Sequence, residues 1–272
     1  MDLVLGDLHA LLERPQTRKF AWPIVLIPEL FATSQHLMLV AGHLVNLGWE
    51  VYLLDLYSSR APVLAGNDSD SPFGSLVVAV KAAFSAIGSE IIVAGHGLGG
   101  LLALKLAEAP PIRAAVALAP LSAGFPSPLF IRHRRWRVWR AASTGLPSRR
   151  TLDELVGEAE PFMRQAIINA LTPADTAAAM EVAHAAVEFS TSQTPRLIIS
   201  GEADAFAPWR EVERLARAIE AQFISLPGRG HWLIAGRGLE RTIAQMQRFL
   251  VRTLGEELLL LYGEGNGGDA QG

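Results

Sequence analysis

Cysteine is absent from all 272 residues. That excludes a disulfide framework, a thiolate zinc site and a cysteine nucleophile. Charge of one sign is also lacking. The formal net charge is −3, so no overall field points toward nucleic acid or acidic lipid. No apolar run approaches the roughly 20 residues that a bilayer-spanning helix needs. His9, His36, His43, His133 and His184 are scattered without metal-ligand spacing, and no metal is expected. The first residues, "MDLVLGDLHALLERP", are acidic early and have no apolar core followed by a small-residue cleavage site. They read as a short amphipathic helix, not a signal peptide, and a cytoplasmic location is the expectation.

What the chain does have is hydrophobicity. Half of it is apolar, ample for one large core. Strand-like runs alternate with helical patterns. "PIVLIP", "EVYLLDL", "EIIVAG", "RAAVALAP", "RLIISG" and "QFISLPG" are short and apolar, and between them stand stretches such as "SQHLMLVAGHLVNLG" and "PWREVERLARAIEA". Strands apolar on both faces, alternating with helices, predict an α/β fold with a mostly parallel sheet covered on both sides. Six parallel strands are expected.

Residues 121–194 break the rhythm. They contain helix-like pieces and few strand signals, and so predict a helical cap above the C-terminal edge of the sheet, where ligands of open α/β sheets bind. The expected organisation is an N-terminal helical segment over 1–22, a core over 23–120 and 195–255, the cap over 121–194, and a disordered tail over 263–272. Within the cap, "FIRHRRWRVWR" (130–140) packs five arginines and two tryptophans. It fits an amphipathic helix with solvated arginines better than an anion-binding or membrane-surface segment.

The stretch "IIVAGHGLGGLLALKLAEA" holds the chemistry. Its glycines fit G-x-G-x-x-G, the dinucleotide fingerprint. That motif demands an acidic residue about 20 positions on, at the end of the next strand. Here that strand ends in Leu118, Ala119 and Pro120, with no carboxylate. The glycines also fit a nucleophile elbow, G-x-S-x-G, with Gly97 at the centre. An elbow needs an acid and then a histidine later in the chain, each after a strand. "LIISGEADAFAP" supplies Asp204, and "LPGRGHW" supplies His231.

From about residue 23 to 253 the chain resembles the α/β-hydrolase fold family, helical cap included. The resemblance rests on the elbow, the G-x-x-D-x-x-x-P stretch Gly201–Pro208 and the G-H-W stretch at 230–232. It implies hydrolysis of an ester, thioester, amide, lactone or epoxide without a cofactor; some members are lyases or cofactor-free oxygenases. His231 and Asp204 would be catalytic. His96 would pack beside the elbow. Backbone N–H groups at Leu98 and around Glu29 and Leu30 would form the oxyanion hole. The implied partner is a small-molecule substrate or ligand; neither nucleic acid nor a membrane is expected.

Two positions depart from the family. Gly97 has no side chain where the nucleophile belongs, and no serine, aspartate or cysteine lies between Ile91 and Leu101. Pro28-Glu29 stands where the family usually has His-Gly, which brings a carboxylate to the hole. Glu29 reads equally as an acid or base and as a rim salt bridge. For Gly97 three explanations stay open. One is a serine-to-glycine change made to trap a substrate. Another is a natural member that binds without turnover. The third is His231, oriented by Asp204, working as a general base on substrate or on a water held where the hydroxymethyl group is missing. The expected activity is therefore hydrolase-like chemistry on a small apolar ester or carbonyl compound. The alternatives are a lyase or isomerase based on His231, and a non-catalytic binder.

Overall fold

The computed structural model describes residues 1–57, 71–121, 146, 148–157, 159–174, 177–184 and 187–259. The Arg/Trp segment 130–140 and the tail 263–272 lie outside the described residues. Among the described residues eight strands form one sheet, in the order β1-β2-β4-β3-β5-β6-β7-β8. They are β1 (Asp2–Leu5), β2 (Leu8–Glu13), β3 (Ile24–Ile27), β4 (Val51–Asp55), β5 (Ile91–His96), β6 (Ile112–Leu118), β7 (Arg196–Gly201) and β8 (Gln222–Leu226). From β4 through β3 and on to β8 every pairing is parallel. This is the predicted α/β sheet, with its six parallel strands.

The N-terminal segment corrects one expectation. Residues 2–13 are not a helix but an antiparallel hairpin, with β2 pairing β4 antiparallel as well. The cause is visible in the pattern. Leu8, Ala10 and Leu12 are buried and their neighbours are not, a period of two rather than 3.6. Gly6 and Asp7 form the turn, and Gly6 takes φ +59°, as a two-residue Gly-X hairpin requires.

Helices α1 (Ser34–Leu47), α2 (Pro72–Ile87), α3 (Leu98–Leu106), α7 (Trp209–Ala218) and α8 (Leu239–Leu254) follow strands in the predicted places. Helix α1 packs with α8, and α2 with α3. Strands β3, β5 and β7 are buried at every position, which is why their sequences run apolar instead of alternating. Asp55, read from sequence as a loop-shaping residue, accepts from the Ser34 N–H and hydroxyl and contacts His9 Nδ1. It thereby ties the end of β4 to the start of α1.

Between β6 and β7 the described residues include three short helices, α4 (Arg149–Leu155), α5 (Pro161–Ala170) and α6 (Ala177–His184). One hydrogen bond joins this region to the loop after β3, Thr172 N–H donating to the Phe31 carbonyl at 2.9 Å, and another joins it to the first turn of α1, His36 Nε2 donating to the Ile167 carbonyl at 3.2 Å. Phe31 is buried and holds φ +68°, a sparsely populated conformation for a bulky residue. Thr33 at the end of this loop is tied to α1 as well, its N–H donating to His36 Nδ1 at 3.0 Å.

Candidate active site

Strand β5 delivers His96 and then turns sharply at Gly97, whose N–H donates to the Leu118 carbonyl at 2.9 Å and whose φ and ψ are 54° and −114°. A residue with a Cβ pays on the order of 1–3 kcal/mol for such a conformation; glycine adopts it almost freely. Helix α3 begins at the next residue, so the Leu98 N–H is one of the unpaired donors of a helix start. Close packing demands a second glycine one step on. A Cβ at Gly99 would lie 2.4 Å from the carbonyl oxygens of Ile27 and Pro28, so the elbow helix presses directly on the end of β3.

That contact puts Glu29 into the site. Its Oε1 accepts from the Leu30 N–H at 2.6 Å and from the Leu98 N–H at 3.0 Å. Its Oε2 lies 2.8 Å from His231 Nε2. His231 Nδ1 in turn lies 2.8 Å from Asp204 Oδ2. Asp204 Oδ1 accepts from the N–H groups of Phe206 and Ala207 at 2.7 and 2.8 Å, the turn that follows β7. All three ionisable side chains are buried. The Glu29 carboxylate also fills the volume that a side chain at residue 97 would need: an ideal Cβ there would stand 1.3 Å from Oε2.

The electrostatics follow from this chain of contacts. Burial alone would strip His231 of its proton. The charge and hydrogen bond of Asp204, with those of Glu29, outweigh burial and push its pKa up to about 10. Burial alone would likewise raise Glu29, but the His231 hydrogen bond and charge carry it below its ordinary value. At neutral pH the site is a carboxylate–imidazolium–carboxylate row. His96 is different. Burial, then repulsion by His231, lowers it to about 4. It is a neutral ring whose Nε2 donates to the His231 carbonyl at 2.8 Å, fixing the loop that carries His231.

The structure thus brings Gly97, Leu98, Glu29, Leu30, His96, Asp204 and His231 to one place at the C-terminal rim of the sheet. The expected water in the space beside Gly97 gives way to the Glu29 carboxylate, and Glu29 is no rim salt bridge, being only 4% exposed. Glu29, His96 and His231 also offer one ligand atom each within 4.8 Å of one another, the one such trio among the described residues. Two members of the trio, Glu29 and His231, are already hydrogen-bonded to each other. The backbone donors of Phe206 and Ala207 were not legible in the sequence, although Asp204 two and three residues before them is the usual spacing of an Asx turn.

Comparison with known proteins bears on the family and the fold. A family model described as "Alpha/beta hydrolase family" matches residues 19–245. The chain belongs to the alpha/beta hydrolase family. No curated protein sequence matches it. Among solved structures, this α/β-hydrolase is similar to a thermophilic esterase from Thermogutta terrifontis, at 18% identity and a TM-score of 0.65, covering 93% of this chain and 98% of that one. It is similar to the carboxylesterase CesB from Bacillus subtilis, at 16% identity and a TM-score of 0.67, covering 90% and 88%. It is also similar to a meta-cleavage product hydrolase from Pseudomonas fluorescens, at 17% identity and a TM-score of 0.68, covering 93% and 97%. At such identities the likeness speaks for the fold alone. No helix among the described residues is long and apolar enough to cross a membrane.

Proposed function

We propose that this α/β-hydrolase acts on a small, largely apolar compound in the cytoplasm. In this reading Glu29, His231 and Asp204 are the reacting set, and Glu29 takes the part for which Gly97 has no side chain. The position of Glu29 Oε2 carries the reading. It lies at hydrogen-bond distance from His231 Nε2, inside the space of the missing serine side chain. The complementarity of Glu29 and Gly97 favours natural divergence. A serine at 97 would collide with Glu29, so a lone serine-to-glycine change made to trap a substrate does not account for both residues.

The familiar acyl-enzyme route has little support. There is no hydroxyl at 97, and the two N–H donors that would stabilise an oxyanion are already bound to Glu29 Oε1. Resting His231 is also poorly suited to the base of a lyase or isomerase. Its Nε2 faces Glu29, and two carboxylates keep it protonated. It can act as a base only after one of those charges is removed. The filled hole does favour one second reading, an idle site closed by its own side chain.

A panel of small apolar esters, lactones, epoxides and haloalkanes separates the two. The wild-type protein is expected to convert at least one compound, with Glu29→Gln and His231→Ala each lowering turnover by on the order of 10³-fold or more. Thermal unfolding checks that both variants are folded. No conversion by the wild type supports the idle site. Turnover that survives Glu29→Gln removes Glu29 from the reacting set.

A further inference from the structure

We propose that Glu29, His96 and His231 form a binding site for a divalent transition-metal ion of the zinc class. The inference rests on the placement of three side chains and does not depend on the reaction proposed above. The three stand far apart in the chain, so no spacing in the sequence announces them. The fold brings them together: Glu29 from the loop after β3, His96 from the end of β5 and His231 from the loop after β8. Each offers one ligand atom, all within 4.8 Å of one another, and all three side chains are buried.

The atom that nothing else accounts for is His96 Nδ1. His96 donates through Nε2 to the His231 carbonyl at 2.8 Å, which leaves a lone pair on Nδ1. That nitrogen is buried and has no hydrogen-bond partner among the described residues. A buried acceptor left bare is costly, and an ion gives it a partner. Metal-binding histidines almost always donate their other ring N–H to a carboxylate, a backbone carbonyl or water, which fixes tautomer and ring orientation. Both rings here are held in that way. His231 Nδ1 faces Asp204 Oδ2 at 2.8 Å, leaving Nε2 for the ion. His96 Nε2 is committed to the His231 carbonyl, leaving Nδ1. Asp204 is itself anchored by the Phe206 and Ala207 N–H groups, and Glu29 is anchored through Oε1, leaving Oε2.

The distances set how far the ligands must move. Zinc stands roughly 2.0–2.2 Å from nitrogen and carboxylate ligands, so two ligand atoms at a tetrahedral angle are about 3.4 Å apart. Glu29 Oε2 and His231 Nε2 are 2.8 Å apart and need to part by about 0.6 Å. Nothing in the trio exceeds 4.8 Å, so His96 needs to close by about 1.4 Å at most. Charge favours a dication. With both rings neutral as ligands, Glu29 and Asp204 leave two buried negative charges, which a dication balances and one proton does not. Two imidazoles and a carboxylate suit zinc or cobalt, whereas magnesium and calcium prefer oxygen. Three protein ligands leave a position for water. Binding displaces the proton between His231 Nε2 and Glu29, so one proton passes to solvent per ion. It also ties up Glu29 and His231, so the loaded protein loses any Glu29-dependent turnover of the metal-free form.

Zinc and cobalt(II) binding to the wild-type protein tests this. Chelator-stripped protein is loaded by incubation, and a second sample by growing the expressing cells with the ion, so that slow entry to a buried site is covered. The expected result is one ion per chain by native mass spectrometry, visible d–d bands with cobalt, and one proton released per zinc. Magnesium should give none of these. Histidine-ring ¹⁵N NMR of the wild-type zinc form should show His96 Nδ1 and His231 Nε2 as the nitrogens that shift. Asp204→Asn, which only orients His231, is expected to weaken zinc binding by about 10–100-fold, and His96→Ala by at least as much, with thermal unfolding checking that both are folded. Zinc bound as tightly by His96→Ala, or shifts confined to other histidines, is surface binding and overturns the site. So does wild-type protein that takes up no ion by either route. Each of those results leaves the reaction proposed for Glu29, His231 and Asp204 standing.

Discussion

Restoring serine at the elbow by Gly97→Ser alone yields a destabilised protein with no esterase activity. Two costs combine. The residue at 97 holds φ +54°, which asks on the order of 1–3 kcal/mol of any residue with a Cβ. Its Cβ would also stand 1.3 Å from Glu29 Oε2, so the carboxylate must leave both its N–H donors and His231. Adding Glu29→Gly removes the obstruction and frees the Leu30 and Leu98 N–H groups to receive an oxyanion. The double variant is expected to hydrolyse p-nitrophenyl acetate at least ~10²-fold faster than either single variant. That is a fraction of the roughly 10⁶ that a fully matured serine nucleophile is worth. Equal esterase activity in the serine single variant would mean that Glu29 does not occupy the elbow.

Removal of the Glu29 side chain alone has the second large effect, on stability. Glu29→Ala leaves a buried imidazolium with one carboxylate instead of two, and two N–H groups without an acceptor. Breaking a buried ion pair from one side costs about 3–5 kcal/mol. The lower end applies here, because Asp204 still balances His231. For a chain of this size about 3 kcal/mol corresponds to a fall in Tm of about 6–12 °C. The hole left behind has the shape and donors of a carboxylate site, so acetate should raise the Tm of Glu29→Ala and leave the wild type unchanged. At an acetate concentration of 100 Kd the recovery is about 2.7 kcal/mol. A Tm within about 1 °C of wild type, the scale of a surface substitution, would contradict the placement of Glu29 between the N–H donors and His231.

The parts of this site set by chain order were readable without coordinates. Apolar runs ending in loops placed Gly97, Asp204 and His231 at one rim of a parallel sheet, because every strand of such a sheet ends on the same side. Glu29 stood out for its charge, but its role depends on where its side chain points. That depends on the pressing of Gly99 against Ile27 and Pro28 and on the left-handed Phe31, neither of which leaves a periodic signal. The two departures are one: a side chain lost at 97 and one gained at 29 fill the same volume. The N-terminal hairpin departs from the helical expectation for a local reason. Leu8, Ala10 and Leu12 alternate over too few residues to stand against the acidic, helix-compatible reading of the whole stretch, and the Gly6-Asp7 turn between Leu5 and Leu8 was the better guide.

The chemistry of the site depends most directly on His231 being held as an imidazolium by carboxylates on both sides. Proton–nitrogen NMR of the histidine rings across pH 5 to 10 reads this without a substrate. The signal of His231 should show both ring nitrogens protonated throughout the neutral range, losing a proton only as pH approaches about 10, and at distinctly lower pH in Glu29→Gln. His96 should be neutral from the start of the titration, since its pKa lies near 4. A His231 ring already neutral at pH 7, or one indifferent to Glu29→Gln, would contradict the account.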